Sequence, residues 1–362
     1  MQSTKKKKKK FYFIHSGYRC GSTFFFSAFK NSKNIIKYYE IYNSLLSSLN
    51  FQKINNIGSK SWESKHPYIK SYFSSYRSFF KNKKNSKIIN LIEKFKNTKE
   101  ITINEQNYLN ALNEKKKIIF FFNTGYLNKV KGLINTFGGF HLLLIRNPFS
   151  QFSSILYLYK RKNSFFYNFY LKKKLIKKKN FYEINSIQSA FLDFYEEMIR
   201  QYINIIDFCD KIIFFDNFQN SNYKKKIIRD LNSIDPSIKI NLDNFNQSFS
   251  FVSELWVNYT LIKKIKKKSK IINSNLTCAF HKNFEKKILK LTLDNIKKYL
   301  SSIKYCYYEI NSLERNSLEK ENLKKRIKFI NDKYEKLSLL YKNQNNNLSI
   351  KNYIKKIFEK LI

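Results

Sequence analysis

The stretch Phe11–Phe29, FYFIHSGYRCGSTFFFSAF, constrains this chain more than any other. Phe11–Ile14 is an unbroken apolar and aromatic run, the pattern of a strand covered on both faces in a parallel sheet. His15–Gly21 follows as a short polar loop with glycines at Gly17 and Gly21. Ser22 and Thr23 are good residues to open a helix, which continues through the apolar Phe24–Phe29. A strand, a turn and a helix start in that order aim backbone N–H groups and the positive end of a helix dipole at one point. An anionic group of a ligand belongs there. A triphosphatase loop would need glycine at Ser16 and lysine at Ser22, so a different ligand is expected. The cation of this loop is Arg19, inside it.

The same grammar recurs further on. Lys117–Phe122 reads as a second strand ending at Asn123-Thr124-Gly125, and Leu127–Thr136 reads as a helix stopped by Gly138-Gly139. Phe140–Ile145 is a third strand, closed by Arg146-Asn147-Pro148, and Pro148 starts a helix over Pro148–Tyr159. Strand, helix and strand make a βαβ unit and hence a parallel sheet. The expected fold is α/β, a P-loop-like parallel sheet with helices on both faces and a helical C-terminal extension. Arg146 would stand at the carboxyl end of its strand, the edge where open α/β sheets bind ligands. Its planar fork suits a phosphate, and Ser154, eight residues later on the helix, could reach back towards the same group.

Composition sets outer limits. The 362 residues include 70 Lys and Arg against 26 Asp and Glu, a formal charge of +44. That excess favours anionic partners, but Lys, Asn, Ile, Phe and Tyr are in excess along the whole chain, as A/T-rich codons would produce. Four scattered cysteines, Cys20, Cys209, Cys278 and Cys306, form neither a zinc spacing nor a disulfide framework. Reduced thiols in the cytoplasm are expected. No apolar run reaches the roughly 20 residues that span a bilayer. Residues 1–10 read as a basic tail, 11–310 as one α/β domain and 311–362 as a helical extension with a short heptad stripe from Ile327 to Tyr341. Ser61–Phe80 is an aromatic-rich segment that packs in a core or walls a pocket.

Gly17-Tyr18-Arg19-Cys20-Gly21-Ser22-Thr23 resembles the 5′-phosphosulfate loop of the sulfotransferase family, and Leu142–Ser154, LLLIRNPFSQFSS, resembles its 3′-phosphate motif. Two motifs in this order are more specific than either alone, and the likeness is to the bacterial and tyrosylprotein branches. It spans about Phe11–Arg161, with a weaker continuation to a strand at Lys211–Asp216. Tyr18, Cys20 and Ser22 depart from the usual Pro, Ser and Thr.

The resemblance implies a donor, 3′-phosphoadenosine 5′-phosphosulfate, and transfer of its sulfuryl group to a hydroxyl of a carbohydrate or other small acceptor. It implies that Arg19, Cys20, Gly21, Ser22 and Thr23 hold the 5′-phosphosulfate while Arg146 and Ser154 hold the 3′-phosphate. Arg19 would also stabilise the leaving oxygen, and Glu40, 21 residues beyond it, would act as general base. Glu63 and His66 are the next candidates for the base. No metal is expected, because a sulfuryl group carries less charge to neutralise than a phosphoryl group. The alternative from another class is a basic nucleic-acid-binding protein, although no recognisable nucleic-acid module is present. A nucleoside or sugar kinase comes third. The acceptor, the adenine contacts and the oligomeric state are not legible in the sequence.

Overall fold

A computed structural model describes residues 11–29, 34–48, 54, 73–81, 90–96, 98–113, 117–160, 184–242 and 256–313. The basic tail, Glu63, His66, the heptad stripe and the extension from residue 314 onward lie outside these residues. The chain divides into two compact units, Met1–Lys297 and Lys298–Ile362; in the second, the described residues are helical.

Five strands form one sheet: β1 (Phe11–Ser16), β2 (Ile35–Tyr38), β3 (Ile118–Thr124), β4 (Phe140–Ile145) and β5 (Lys211–Phe214). The order is β2-β3-β1-β4-β5 and every pairing is parallel. Besides two short helical segments at Arg77–Lys81 and Ile92–Phe95, the described helices are α1 (Ser22–Ala28), α2 (Ile103–Ala111), α3 (Val130–Phe137), α4 (Pro148–Lys160), α5 (Ile184–Ile206), α6 (Ser221–Ile234), α7 (Tyr259–Ser274) and α8 (Ala279–Leu313). The fold is therefore α/β with a parallel sheet, as the alternation of elements predicts. Among the described residues no helix is long and apolar enough to cross a membrane.

Alternation along the strands distributes the aromatic residues to two faces. Tyr12 stacks on Phe120 at 4.9 Å, and Phe29 and Phe26, at the end of α1, meet Phe120 and Phe122 at 4.6 and 5.0 Å. On the opposite face Phe13 meets Phe121 at 5.2 Å, and Phe137 of α3 covers Phe11 and Phe13 at 6.1 Å. Each buried phenylalanine contributes about 2–3 kcal/mol of burial, so two aromatic layers clamp the sheet and fix its register. That rigidity positions the loops at the carboxyl edge.

Two strands run past the apolar runs that announce them. β1 extends beyond Ile14 through His15 and Ser16, and β3 extends through Asn123 and Thr124. Most polar atoms of these side chains find partners in the interior, although Asn123 Oδ1 has none among the described residues. His141 Nε2 lies 2.8 Å from the Gly138 carbonyl oxygen, and its Nδ1 lies 2.9 Å from His15 Nε2. Asn123 Nδ2 approaches His15 Nδ1 at 3.2 Å. A carbonyl only accepts, so His141 carries its proton on Nε2 and accepts at Nδ1. His15 then donates from Nε2 and accepts from Asn123, and both rings are neutral in this arrangement.

Burial first, and His141 second, lower the His15 pKa well below its ordinary 6.5. A proton that the unfolded chain takes up near pH 6.5 is refused by the native state, so stability is full above that pH and falls below it. The slope should approach about 1.4 kcal/mol per pH unit. Chemical denaturation between pH 7 and 5 would show it, and a His15→Gln/His141→Gln variant should show a flatter profile. An identical slope in that variant would contradict the assignment.

Candidate anion-binding site

Because all five strands are parallel, the segments that follow β1, β3, β4 and β5 gather at one edge of the sheet. The loop Gly17–Gly21 leaves β1, Arg146 leaves β4, and the turn Phe215–Gln219 leaves β5. The last of these corrects an expectation. The apolar run to Asp216 reads as strand, but β5 ends at Phe214 and the chain turns into a short 3-10 helix that carries Phe215 and Asp216. The ladder with β4 stops where Ile145 pairs Phe214, and beyond it the carboxylate is taken up by the turn at Asn147.

The β1 loop is held from several sides. Gln151 Nε2 donates to the Tyr18 carbonyl at 2.7 Å, and Arg146 Nη1 donates to the Arg19 carbonyl at 3.0 Å. Arg19 adopts φ +63, the left-handed region that costs a non-glycine residue about 1–2 kcal/mol. Its Nε donates to Ser154 Oγ at 2.9 Å. Gly21 closes the loop at φ +88, and a Cβ there would lie 2.1 Å from the Phe215 ring. That position needs glycine for both conformation and space. Arg19 thus contacts Arg146 through its backbone carbonyl and Ser154 through its side chain, across separations of 127 and 135 residues along the chain.

The remaining loop residues are placed as follows. Ser22 and Thr23 are buried at the start of α1, and Thr23 Oγ1 lies 2.6 Å from Tyr39 Oη. Cys20 turns its thiol inward to Tyr202 Oη at 3.4 Å, where burial raises its pKa, so the loop surface receives only its backbone. Glu40 is half-buried in the left-handed region at φ +45. Burial raises its carboxyl pKa, while hydrogen bonds from Asn43 and Tyr39 and the charges of Arg19 and Lys96 pull it down. Tyr39 therefore links Glu40 to Thr23, and Arg19 is close enough for its charge to be felt. Glu40 belongs to the same neighbourhood as the loop.

Arg146 is the odd group of this edge. Burial lowers its pKa and the charge of Asp216 opposes that. Its guanidinium carbon lies 5.6 Å from the centre of the Phe215 ring. Its Nε is buried with no hydrogen-bond partner among the described residues, as is Ser153 Oγ on α4. A buried donor on a cation without an acceptor is costly, and an anion is the chemical group that would complete it.

Sequence reasoning missed Asp216, Asn147, Phe215, Tyr39 and Asn43. Asp216 closes a conspicuous apolar run, which was the available signal; the others carry none, being ordinary in type and spacing.

No family model matches the chain, and no curated protein matches it. Among solved structures it is similar to the crystal structure of a sulfotransferase from Alicyclobacillus acidocaldarius, with 11% identity and a TM-score of 0.35. The likeness covers 74% of this chain and 95% of that one.

Proposed function

We propose that this chain is a sulfotransferase that moves a sulfuryl group from 3′-phosphoadenosine 5′-phosphosulfate to a hydroxyl of a carbohydrate or other small acceptor. The observation that carries the reading is the meeting of Arg19, Arg146 and Ser154 at the carboxyl edge of the sheet, 2.9–3.0 Å apart in hydrogen-bonded pairs. Two arginines held together over a buried, unpartnered donor suit a ligand with more than one anionic group.

In this reading Arg146 and Ser154 take the 3′-phosphate. Arg19 and the backbone of Cys20, Gly21, Ser22 and Thr23 take the 5′-phosphosulfate. The acceptor oxygen forms its bond to sulfur as the bond from sulfur to the bridging oxygen breaks. Negative charge grows on that oxygen, and Arg19 stabilises it. The proton of the acceptor hydroxyl passes to the Glu40 carboxylate, and adenosine 3′,5′-bisphosphate leaves with the electron pair. Glu40 is suited to the task because burial raises its pKa towards working pH.

The test is calorimetric titration with adenosine 3′,5′-bisphosphate. Arg19→Ala and Arg146→Ala should each weaken binding by roughly tenfold to hundredfold, as expected for losing a hydrogen bond to a charged group. Absence of binding by the unaltered protein would remove the proposal. Unchanged affinity in either variant would remove the role of that arginine.

A further inference from the structure

The turn after β5 places a carboxylate beside a site built for anions, which at first sight is the wrong charge. Its hydrogen bonds explain why it is tolerated. Asp216 Oδ2 accepts from the backbone N–H of Asn147 at 2.6 Å, and Oδ1 accepts from Asn147 Nδ2 at 2.6 Å. Asn147 is fully buried, and both its side-chain donors and its side-chain oxygen are engaged. Its Oδ1 accepts from the Ser150 backbone N–H at 2.9 Å, capping α4, and Nδ2 also donates to Ser150 Oγ at 3.0 Å. One carboxylate thus grips both main chain and side chain of the residue that follows Arg146. Phe215, beside it, packs against Gly21 and lies under the Arg146 guanidinium. The same turn therefore braces both anion loops.

We propose that Asp216 is a positioning residue: through Asn147 and its own charge it aims Arg146, and so sets the preference for an adenosine nucleotide bearing a 3′-phosphate over one that lacks it. The proposal rests on the nucleotide reading above. Asp216 touches no ligand in this account. Its carboxylate oxygens already have Asn147 as partner, and its field holds the guanidinium in one orientation before the nucleotide arrives.

The test compares adenosine 3′,5′-bisphosphate with adenosine 5′-phosphate by calorimetry. Asp216→Asn should weaken the bisphosphate by roughly tenfold to hundredfold and the monophosphate by less than about twofold. Adding Asp216→Asn to Arg146→Ala should cost little more than Arg146→Ala alone, because both act on one contact. Asn147→Ala, which removes the side-chain half of the clamp, should show the same selective loss at smaller size. A variant that weakens both nucleotides equally, or that leaves the bisphosphate unaffected, overturns the positioning role and leaves the nucleotide reading standing. Failure of both variants to fold overturns it as well, since Asp216 would then serve stability alone. If the unaltered protein binds neither nucleotide, the underlying reading fails and takes this proposal with it.

Discussion

If Glu40 is the base proposed above, Glu40→Gln should lower turnover by about 10²- to 10⁴-fold, the range of a lost general base, while affinity for adenosine 3′,5′-bisphosphate should stay within about twofold. Glutamine keeps the shape and can still accept from Asn43 and Tyr39, but it cannot take a proton from the acceptor. Because burial raises the Glu40 pKa, the acidic limb of the native pH–rate profile should sit above the ordinary carboxylate range. The linkage runs the other way for stability. A carboxyl with a raised native pKa binds protons more readily folded than unfolded, so its ionisation weakens the fold as pH rises. Glu40→Gln should therefore be at least as stable at neutral pH as the native chain. Loss of stability together with loss of binding would mark a structural role, and unaltered turnover would reject Glu40 as the base.

Gly21→Ala should carry the largest stability effect at the site, about 2–6 kcal/mol from two additive causes. The first is backbone strain, since φ +88 is a conformation that residues with a Cβ resist. The second is space, since the new carbon would fall 2.1 Å from the Phe215 ring, on the same turn as Asp216. Relief needs the Phe215 ring, its turn or the loop to move, and since that ring lies under the Arg146 guanidinium the damage should spread to the Arg146 side of the site. Thermal unfolding and bisphosphate titration should both register it. Combining Gly21→Ala with Phe215→Leu should recover part of the loss, a non-additivity that isolates the packing share. An unfolding midpoint unchanged by Gly21→Ala would mean that the loop does not hold this geometry.

Much of the frame was legible because it is written in local pattern. Unbroken apolar runs at Phe11–Ile14, Lys117–Phe122 and Phe140–Ile145 mark strands buried on both faces, and Pro148 and the Gly138-Gly139 pair punctuate the helices between them. The edge strand Ile35–Tyr38 lacks such a run and was visible only as the segment returning from α1 to the sheet. The polar ends of β1 and β3 read as loop in the sequence, because a histidine or asparagine belongs in a buried strand only when a partner meets it there. For His15 that partner lies 126 residues away.

The sequence by itself determined the element types, the parallel α/β class and the presence of an arginine in each of two strand-to-helix turns, since these depend on periodicity and on turn residues acting over a few positions. The tertiary structure alone decided that β1 lies at the centre of the sheet, that Arg19 touches both Arg146 and Ser154, that Glu40 reaches the loop through Tyr39, and that Asp216 grips Asn147. Apart from the link through Tyr39, those pairings join groups far apart along the chain. They follow from which strands share a ladder and where each ladder stops, and residue spacing along a single chain does not encode that.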